Sequence, residues 1–230
     1  MSELSKDPQR ISQMFGEIAP VYDRLNTVFS LNIDALWRKT VAEKAVRSAD
    51  HVILDLACGS GALTKALMKR ANPHATVLGV DFCRPLLYQA QKLLPNATFY
   101  QGDGLKLPAQ DCSVDLLTIA FGLRNMQDPH EGLLEMHRVL KPGGRLAVLE
   151  FTQANNIFLR AMHSVYQNKI LPKIGDFVSG TTAYSYLNDS IADWPEAPEL
   201  ARWIRRAGFR DVRYNWLQMR NAALHIGVKS

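Results

Sequence analysis

The chain lacks most of the devices that announce a function. Only three of its 230 residues are cysteine, Cys58, Cys83 and Cys112. An odd number without paired spacing excludes a disulfide framework and points to a reducing compartment. No apolar run approaches the length needed to span a bilayer, and the polar stretch from Met1 to Arg10 has no secretory apolar core. The expected location is cytoplasmic. There is no long block of like charge: 27 Lys and Arg stand against 22 Asp and Glu, and the excess of +5 is scattered, as in Arg202, Arg205, Arg206, Arg210, Arg213 and Arg220. Nucleic-acid recognition calls instead for a basic stripe interleaved with aromatics, so no nucleic-acid partner is expected. His51, His74, His130, His137, His163 and His225 show no ligand spacing with one another or with cysteine, and no metal site is expected. What remains, 47% hydrophobic and 21% charged, is an ordinary globular composition, long enough to bury a core of its own.

The most informative stretch is Val52-Ile53-Leu54-Asp55-Leu56-Ala57-Cys58-Gly59-Ser60-Gly61 followed by Ala62–Met68. An apolar run ending in an acid, then a glycine pair, then helical periodicity predicts a buried strand, a tight turn and a helix. Such turns hold nucleotides in α/β enzymes, because glycine lets a ligand lie against bare main chain. Two common ligands lose ground here. Thr64 stands where the dinucleotide fingerprint needs its third glycine, and the Gly-Lys-Ser/Thr of a phosphate loop is absent. With acids but no phosphate anchor, the turn suits a nucleoside with free hydroxyls and a cationic or zwitterionic tail, and S-adenosylmethionine (SAM) fits that description.

Strand and helix alternate from there on. Thr76–Val80 closes with Asp81, close to the ~20-residue separation at which a carboxylate can accept from ribose hydroxyls. A helix over Pro85–Leu94 and a strand near Ala97–Tyr100 lead into Gly102-Asp103-Gly104, where Asp103 could accept from an adenine amino group and the Gly104 amide donate to a ring nitrogen. A surface turn explains that Asp-Gly equally well in isolation. The strand Val114–Ala120 runs into Phe121-Gly122-Leu123-Arg124-Asn125. A helix from Pro129 to Leu140 stops at the Lys141-Pro142-Gly143-Gly144 turn, and a strand follows over Arg145–Phe151. Such a succession argues for a doubly wound parallel sheet. Before it, Ile11 to Val46 reads as helical with a break at Pro20; after it come an apolar helix over Ile157–Leu171, a polar stretch, a helix over Pro198–Ala207 and two strands near Val212–Leu217 and Ala222–Val228.

The Leu-Asp-Leu-Ala-Cys-Gly-Ser-Gly turn, Asp81, Gly-Asp-Gly and Leu-Lys-Pro-Gly-Gly together resemble a class I SAM-dependent methyltransferase. Phe121–Asn125, Leu149-Glu150-Phe151, Phe15…Ile18-Ala19…Tyr22-Asp23…Asn26…Ser30…Trp37-Arg38, Leu171-Pro172…Gly175, Ala183-Tyr184…Tyr186-Leu187…Ser190-Ile191 and His225–Lys229 resemble the ubiquinone/menaquinone biosynthesis C-methyltransferase family almost from end to end. The resemblance implies an α/β fold, Rossmann-like and doubly wound, with a mostly parallel seven-stranded sheet, helices on both faces and an antiparallel last strand pair. It implies a single domain over 1–230, with a helical cap over 1–48 and a helical substrate-side insertion over 152–196. The implied activity is methyl transfer from SAM to a ring carbon of a polyprenylated, lipid-like quinol. Carried over by position, Asp55, Gly59, Ser60, Gly61, Asp81, Phe82, Asp103, Gly104 and Ala120 would hold the cofactor, and Arg124, Asn125 and Tyr22 would serve the reacting ring. At Ala62, where the family carries an acid, the resemblance assigns no acceptor for the cofactor's ammonium.

A methyl sulfonium is already activated, so its transfer is an in-line displacement that rests on positioning and needs no metal. Arginine keeps its proton, so the role expected of Arg124 is to stabilise a developing phenolate, with Asn125 or Tyr22 orienting the hydroxyl. Methylation of another small aromatic acceptor stays open at this level, because the cofactor half does not choose the substrate. Peripheral contact with the inner face of a membrane and homodimerisation stay open too.

Overall fold

In the computed structural model, the residues described are 8–19, 33–152, 190–191, 194–217, 220 and 222–230. Seven strands form one sheet: β1 (Val52–Leu56), β2 (Thr76–Asp81), β3 (Thr98–Gln101), β4 (Val114–Ala120), β5 (Leu140–Phe151), β6 (Phe209–Leu217) and β7 (Ala222–Lys229). Their order across the sheet is β3-β2-β1-β4-β5-β7-β6. All pairings up to β5 are parallel, while β7 lies antiparallel between β5 and β6. The described helices are α1 (Pro8–Ile18), α2 (Ile33–Ala45), α3 (Ala62–Arg70), α4 (Arg84–Leu93), α5 (Pro129–Val139) and α6 (Ala197–Arg206).

The strands read as unbroken apolar runs because both faces of the sheet are covered. Side chains alternate across the pleat: Leu54, Leu56, Leu117, Ile119, Leu146 and Val148 pack with α5 and α6, whereas Ile53, Leu116, Ala147 and Leu149 pack with α2 and α3. The segment before β1 is fastened to the sheet by charge as well as by packing. Arg145 Nη2 on β5 donates to both oxygens of Asp50, at 2.8 and 2.6 Å, and also to the Ala45 carbonyl at the end of α2 at 2.9 Å. Both side chains are buried. On β7, buried His225 sets its Nε2 at 2.9 Å from the Ala197 carbonyl of α6, and burial pushes its pKa down to about 4.

One sequence expectation changes. Lys141–Gly144 is not a separate turn before the fifth strand but an irregularity inside β5: pairing with β4 jumps from Val114–Leu140 to Leu116–Arg145, and Gly143 absorbs the extra residues at φ +77. The crossover from β3 to β4, residues 102–113, contains turns and a short bridge between Asp103 and Lys106. Its Gly and Pro residues favour that outcome. The three cysteines are free thiols, Cys58 and Cys83 buried and Cys112 exposed. Among the described residues no helix is long and apolar enough to cross a membrane.

The Arg145–Asp50 pair generates a stability prediction. Arg145→Met strands a carboxylate that is 2% exposed, and removing one partner of a buried pair costs about 3–5 kcal/mol. Urea unfolding is expected to show that loss and to recover much of it in Arg145→Met/Asp50→Asn.

Candidate active site

The turn after β1 depends on three left-handed residues, Ala57 at φ 51, Gly59 at φ 56 and Gly61 at φ 84. Only the last two have the free choice of such angles, so Ala57 is held there by its surroundings. The Cys58 amide donates to the Val80 carbonyl of β2 at 3.1 Å, and the Gly61 amide to the Cys58 carbonyl at 2.9 Å. Asp81 locks the turn from the neighbouring strand: Oδ2 accepts from the Gly59 amide at 2.8 Å and Oδ1 from the Cys83 amide at 2.7 Å. Burial raises the Asp81 pKa, and those amides oppose the rise. Beneath the turn, Asp55 accepts from the hydroxyls of Thr64 on α3 at 2.6 Å and Thr118 on β4 at 2.8 Å. Burial pushes its pKa from 3.8 to about 6 against the pull of both hydroxyls.

The second loop follows β4. Phe121 also takes a left-handed conformation, at φ 58. Next to it, Gly122 passes so close to the β1 turn that a Cβ there would lie 2.4 Å from the Ala57 Cβ. The two loops therefore touch where the strand order reverses between β1 and β4, the position at which open α/β sheets bind ligands. Arg124, in a short 3-10 turn over Leu123–Asn125, donates through Nη1 to the Phe121 carbonyl at 2.6 Å and to the Glu150 carboxylate at 2.9 Å. Its amide faces the other Glu150 oxygen at 3.3 Å. Burial lifts the Glu150 pKa, and the charge of Arg124 pulls the other way. The Arg124 guanidinium also lies over the Phe151 ring at 5.2 Å, in a cluster where Phe121 and Phe151 approach to 4.5 Å and Trp37 packs against both.

These strand ends surround a cleft of about 880 Å³, open solvent included. The structure brings Gly59, Asp81, Phe82, Asp103, Gly104, Ala120 and Asn125 to its wall. It does not bring Asp55, Ser60, Gly61 or Arg124 there. Asp55 and Ser60 are buried, Gly61 abuts Ala90 of α4, and Arg124, 5% exposed, points its guanidinium at Glu150. Tyr22 and the apolar stretch over 157–171 lie outside the described residues. Ala62 opens α3, whose first turn carries no acid. Sequence reasoning missed Thr64 and Thr118 as partners of Asp55, and it missed Met126, which lines the cleft. It read Phe15 as part of a cap without giving it to the site, whereas Ile11, Ser12 and Phe15 of α1 line the cleft together with Cys83, just before α4, and Leu86 of α4. Glu150 was visible as an acid inside an apolar strand, which is itself a signal that a buried cation lies nearby. Among the described residues, no group of three or more His, Cys, Asp or Glu side chains is placed to hold a metal ion.

Strand order, the antiparallel β7 and a cleft at the β1/β4 reversal define a class I, Rossmann-like methyltransferase fold. Solved structures agree on the fold. A SAM-dependent methyltransferase of Thermotoga maritima, described as a possible histamine N-methyltransferase, superposes with a TM-score of 0.68 at 18% identity, covering 95% of this chain and 99% of that one. The [4+2]-cyclase SpnF gives 0.69 at 16% identity, covering 96% and 95%. A cyclase among these neighbours shows why fold alone does not fix the chemistry. Sequence is more specific: the chain belongs to the ubiE/COQ5 methyltransferase family, which it matches over residues 3–229. It is 39% identical to the demethylmenaquinone methyltransferase of Clavibacter sepedonicus, over 99% of this chain and 94% of that one. It is 40% identical to the enzyme of the same name from Deinococcus radiodurans, over 96% and 93%. The ubiquinone/menaquinone biosynthesis C-methyltransferase UbiE of Geotalea daltonii is 32% identical over the full length of both.

The Asp55 environment sets a pH dependence. Its folded pKa lies above the unfolded value, so ionisation costs more in the folded state, and the group's unfavourable contribution grows as pH rises from about 4 to about 6. The full shift corresponds to roughly 3 kcal/mol. Asp55→Asn removes this titration, so its stability relative to the wild type is expected to rise by about that amount across the same window in denaturant titrations.

Proposed function

We propose that this chain transfers a methyl group from SAM to a ring carbon of a polyprenylated quinol, either demethylmenaquinol or the corresponding ubiquinol precursor. The observation that carries this reading is the convergence of Asp81, Asp103–Gly104 and the Phe121–Asn125 loop on one cleft, in a member of the ubiE/COQ5 family. The donor set fits the cofactor. Asp81 accepts from backbone amides through both oxygens, and a carboxylate with about four lone-pair sites keeps acceptor capacity for ribose hydroxyls. Gly104 offers bare main chain to a purine, and the apolar Phe82, which lines the same cleft, is 37% exposed. When bound, SAM supplies a methyl group on a sulfonium, ready for in-line displacement.

The chain's own work is to position and to exclude water. Asn125, on the cleft wall with its Nδ2 3.3 Å from the Phe121 carbonyl, is proposed to orient the quinol hydroxyl. Tyr22 keeps the same proposed role on the family resemblance alone. For Arg124 the pairing with Glu150 refines the proposed role, which becomes that of fixing the loop that carries Asn125. Residues 1–48 are proposed as a cap. Residues 152–196 are proposed as the side that receives the prenyl tail, because their sequence sets Ile157, Phe158, Leu159 and Met162 beside Arg160, Lys169 and Lys173. Such a segment would suit contact with a leaflet. Homodimerisation is proposed only as compatible with this arrangement.

The direct experiment offers the purified chain labelled SAM together with reduced demethylmenaquinone analogues or soluble phenols. Ring methylation of the quinol is expected; preferential labelling of the phenols would sink the reading. For the loop, Arg124→Ala and Glu150→Gln are each expected to lower kcat by about 10²-fold, the cost that misplacing an orienting group from a distance can carry, while the SAM Kd stays within about threefold. A loss of SAM affinity as large as the loss of turnover would contradict the assignment.

A further inference from the structure

Two glycines from separate parts of the chain leave room for one side chain. Gly104 belongs to the loop after β3, and a Cβ there would come within 2.5 Å of the Met126 Cε. Gly132 lies in α5, on the far side, and a Cβ there would come within 2.6 Å of the Met126 Sδ. The Met126 thioether is thus enclosed between the purine-side loop and a helix that does not itself line the cleft, while Met126 does line it. The residue directly follows Asn125, and its amide closes the 3-10 turn on the Leu123 carbonyl at 3.2 Å. Methionine is soft and polarizable and makes favourable contacts with aromatic rings.

Resting on the reading of this cleft as a SAM site, we propose that Met126 forms part of the wall of the purine subsite and ties that subsite to the acceptor loop. Gly132 acts through it: the missing methyl on α5 lets the thioether sit back from the purine. Gly104 and Gly132 are then required as glycine for Met126's sake, not for their backbone angles, since neither has a positive φ. Binding of the purine presses on the same side chain that anchors the end of the Asn125 turn, so the two halves of the site are set together.

Gly132→Ala tests this without adding an atom to the cleft, and alanine is the better helix former at that position. The probes are SAM and 5′-methylthioadenosine, which keeps purine and ribose but lacks the amino-acid end, both titrated calorimetrically against the full chain. Gly132→Ala is expected to weaken both by about tenfold as the thioether is pushed into the purine space, and Met126→Ala to weaken both severalfold by removing the sulfur–ring contact. The double variant is expected to bind no more weakly than Met126→Ala alone, because the two substitutions act through one side chain. Wild-type binding with unchanged affinity in both single variants, costs that add in the double variant, or weakening of SAM alone would each overturn the proposal. Failure of the wild-type chain to bind SAM at all would overturn the functional reading and this proposal with it.

Discussion

The site depends on a carboxylate buried away from solvent. Asp55 joins β1, β4 and α3 through two threonine hydroxyls, and burial makes its charge costly enough to lift its pKa to about 6. What that cost secures is geometry. With the helix start and the two central strands held to one point, the β1 turn can carry Ala57 in a left-handed conformation, and Gly122 can pass within contact of it. A similar carboxylate, Asp81, closes the turn on the side of β2. The cleft is the space left above these tied strand ends, so its shape is set by groups that mostly do not line it.

Arg124 shows the same division of labour. A cation on a loop next to a cleft invites a direct role, and here it turns inward to Glu150 and the Phe121 carbonyl. A buried pair of this kind contributes little net stability compared with a well-packed apolar substitute, yet it is costly to break. It also fixes which way the following residues face, and those residues are Asn125 and Met126. On the proposed reading, the loop after β4 thereby carries an acceptor-side group and a purine-side group on consecutive positions, one polar and one apolar.

Much of the fold was legible because a doubly wound sheet writes itself plainly. Strands covered on both faces are continuous apolar runs, as in Val52–Leu56 and Val114–Ala120, and glycines and acids gather at their ends. Boundaries blurred where backbone irregularity carried no composition signal of its own: Pro142-Gly143-Gly144 reads as a turn in isolation, but the pairing of β5 with β4 continues on both sides of it. The site residues divide by range. Asp81, Asp103 and Gly104 could be read from the pattern because each stands at or just beyond the carboxyl end of a strand. The partners of Asp55 and Arg124 could not: Thr118 lies 63 residues from Asp55, and Glu150 lies 26 from Arg124. Only the folded sheet shows that a residue with a family-typical position points away from the cleft.

The central claim is that these tied strand ends hold SAM against a quinol ring. Quinone profiling by mass spectrometry tests it most directly, in a strain that lacks its own demethylmenaquinone methyltransferase and carries this chain. Conversion of the demethylated quinone pool to the ring-methylated form, abolished by Asp81→Ala, is the expected result. An unchanged pool in cells where the folded, SAM-binding protein is present would contradict the account.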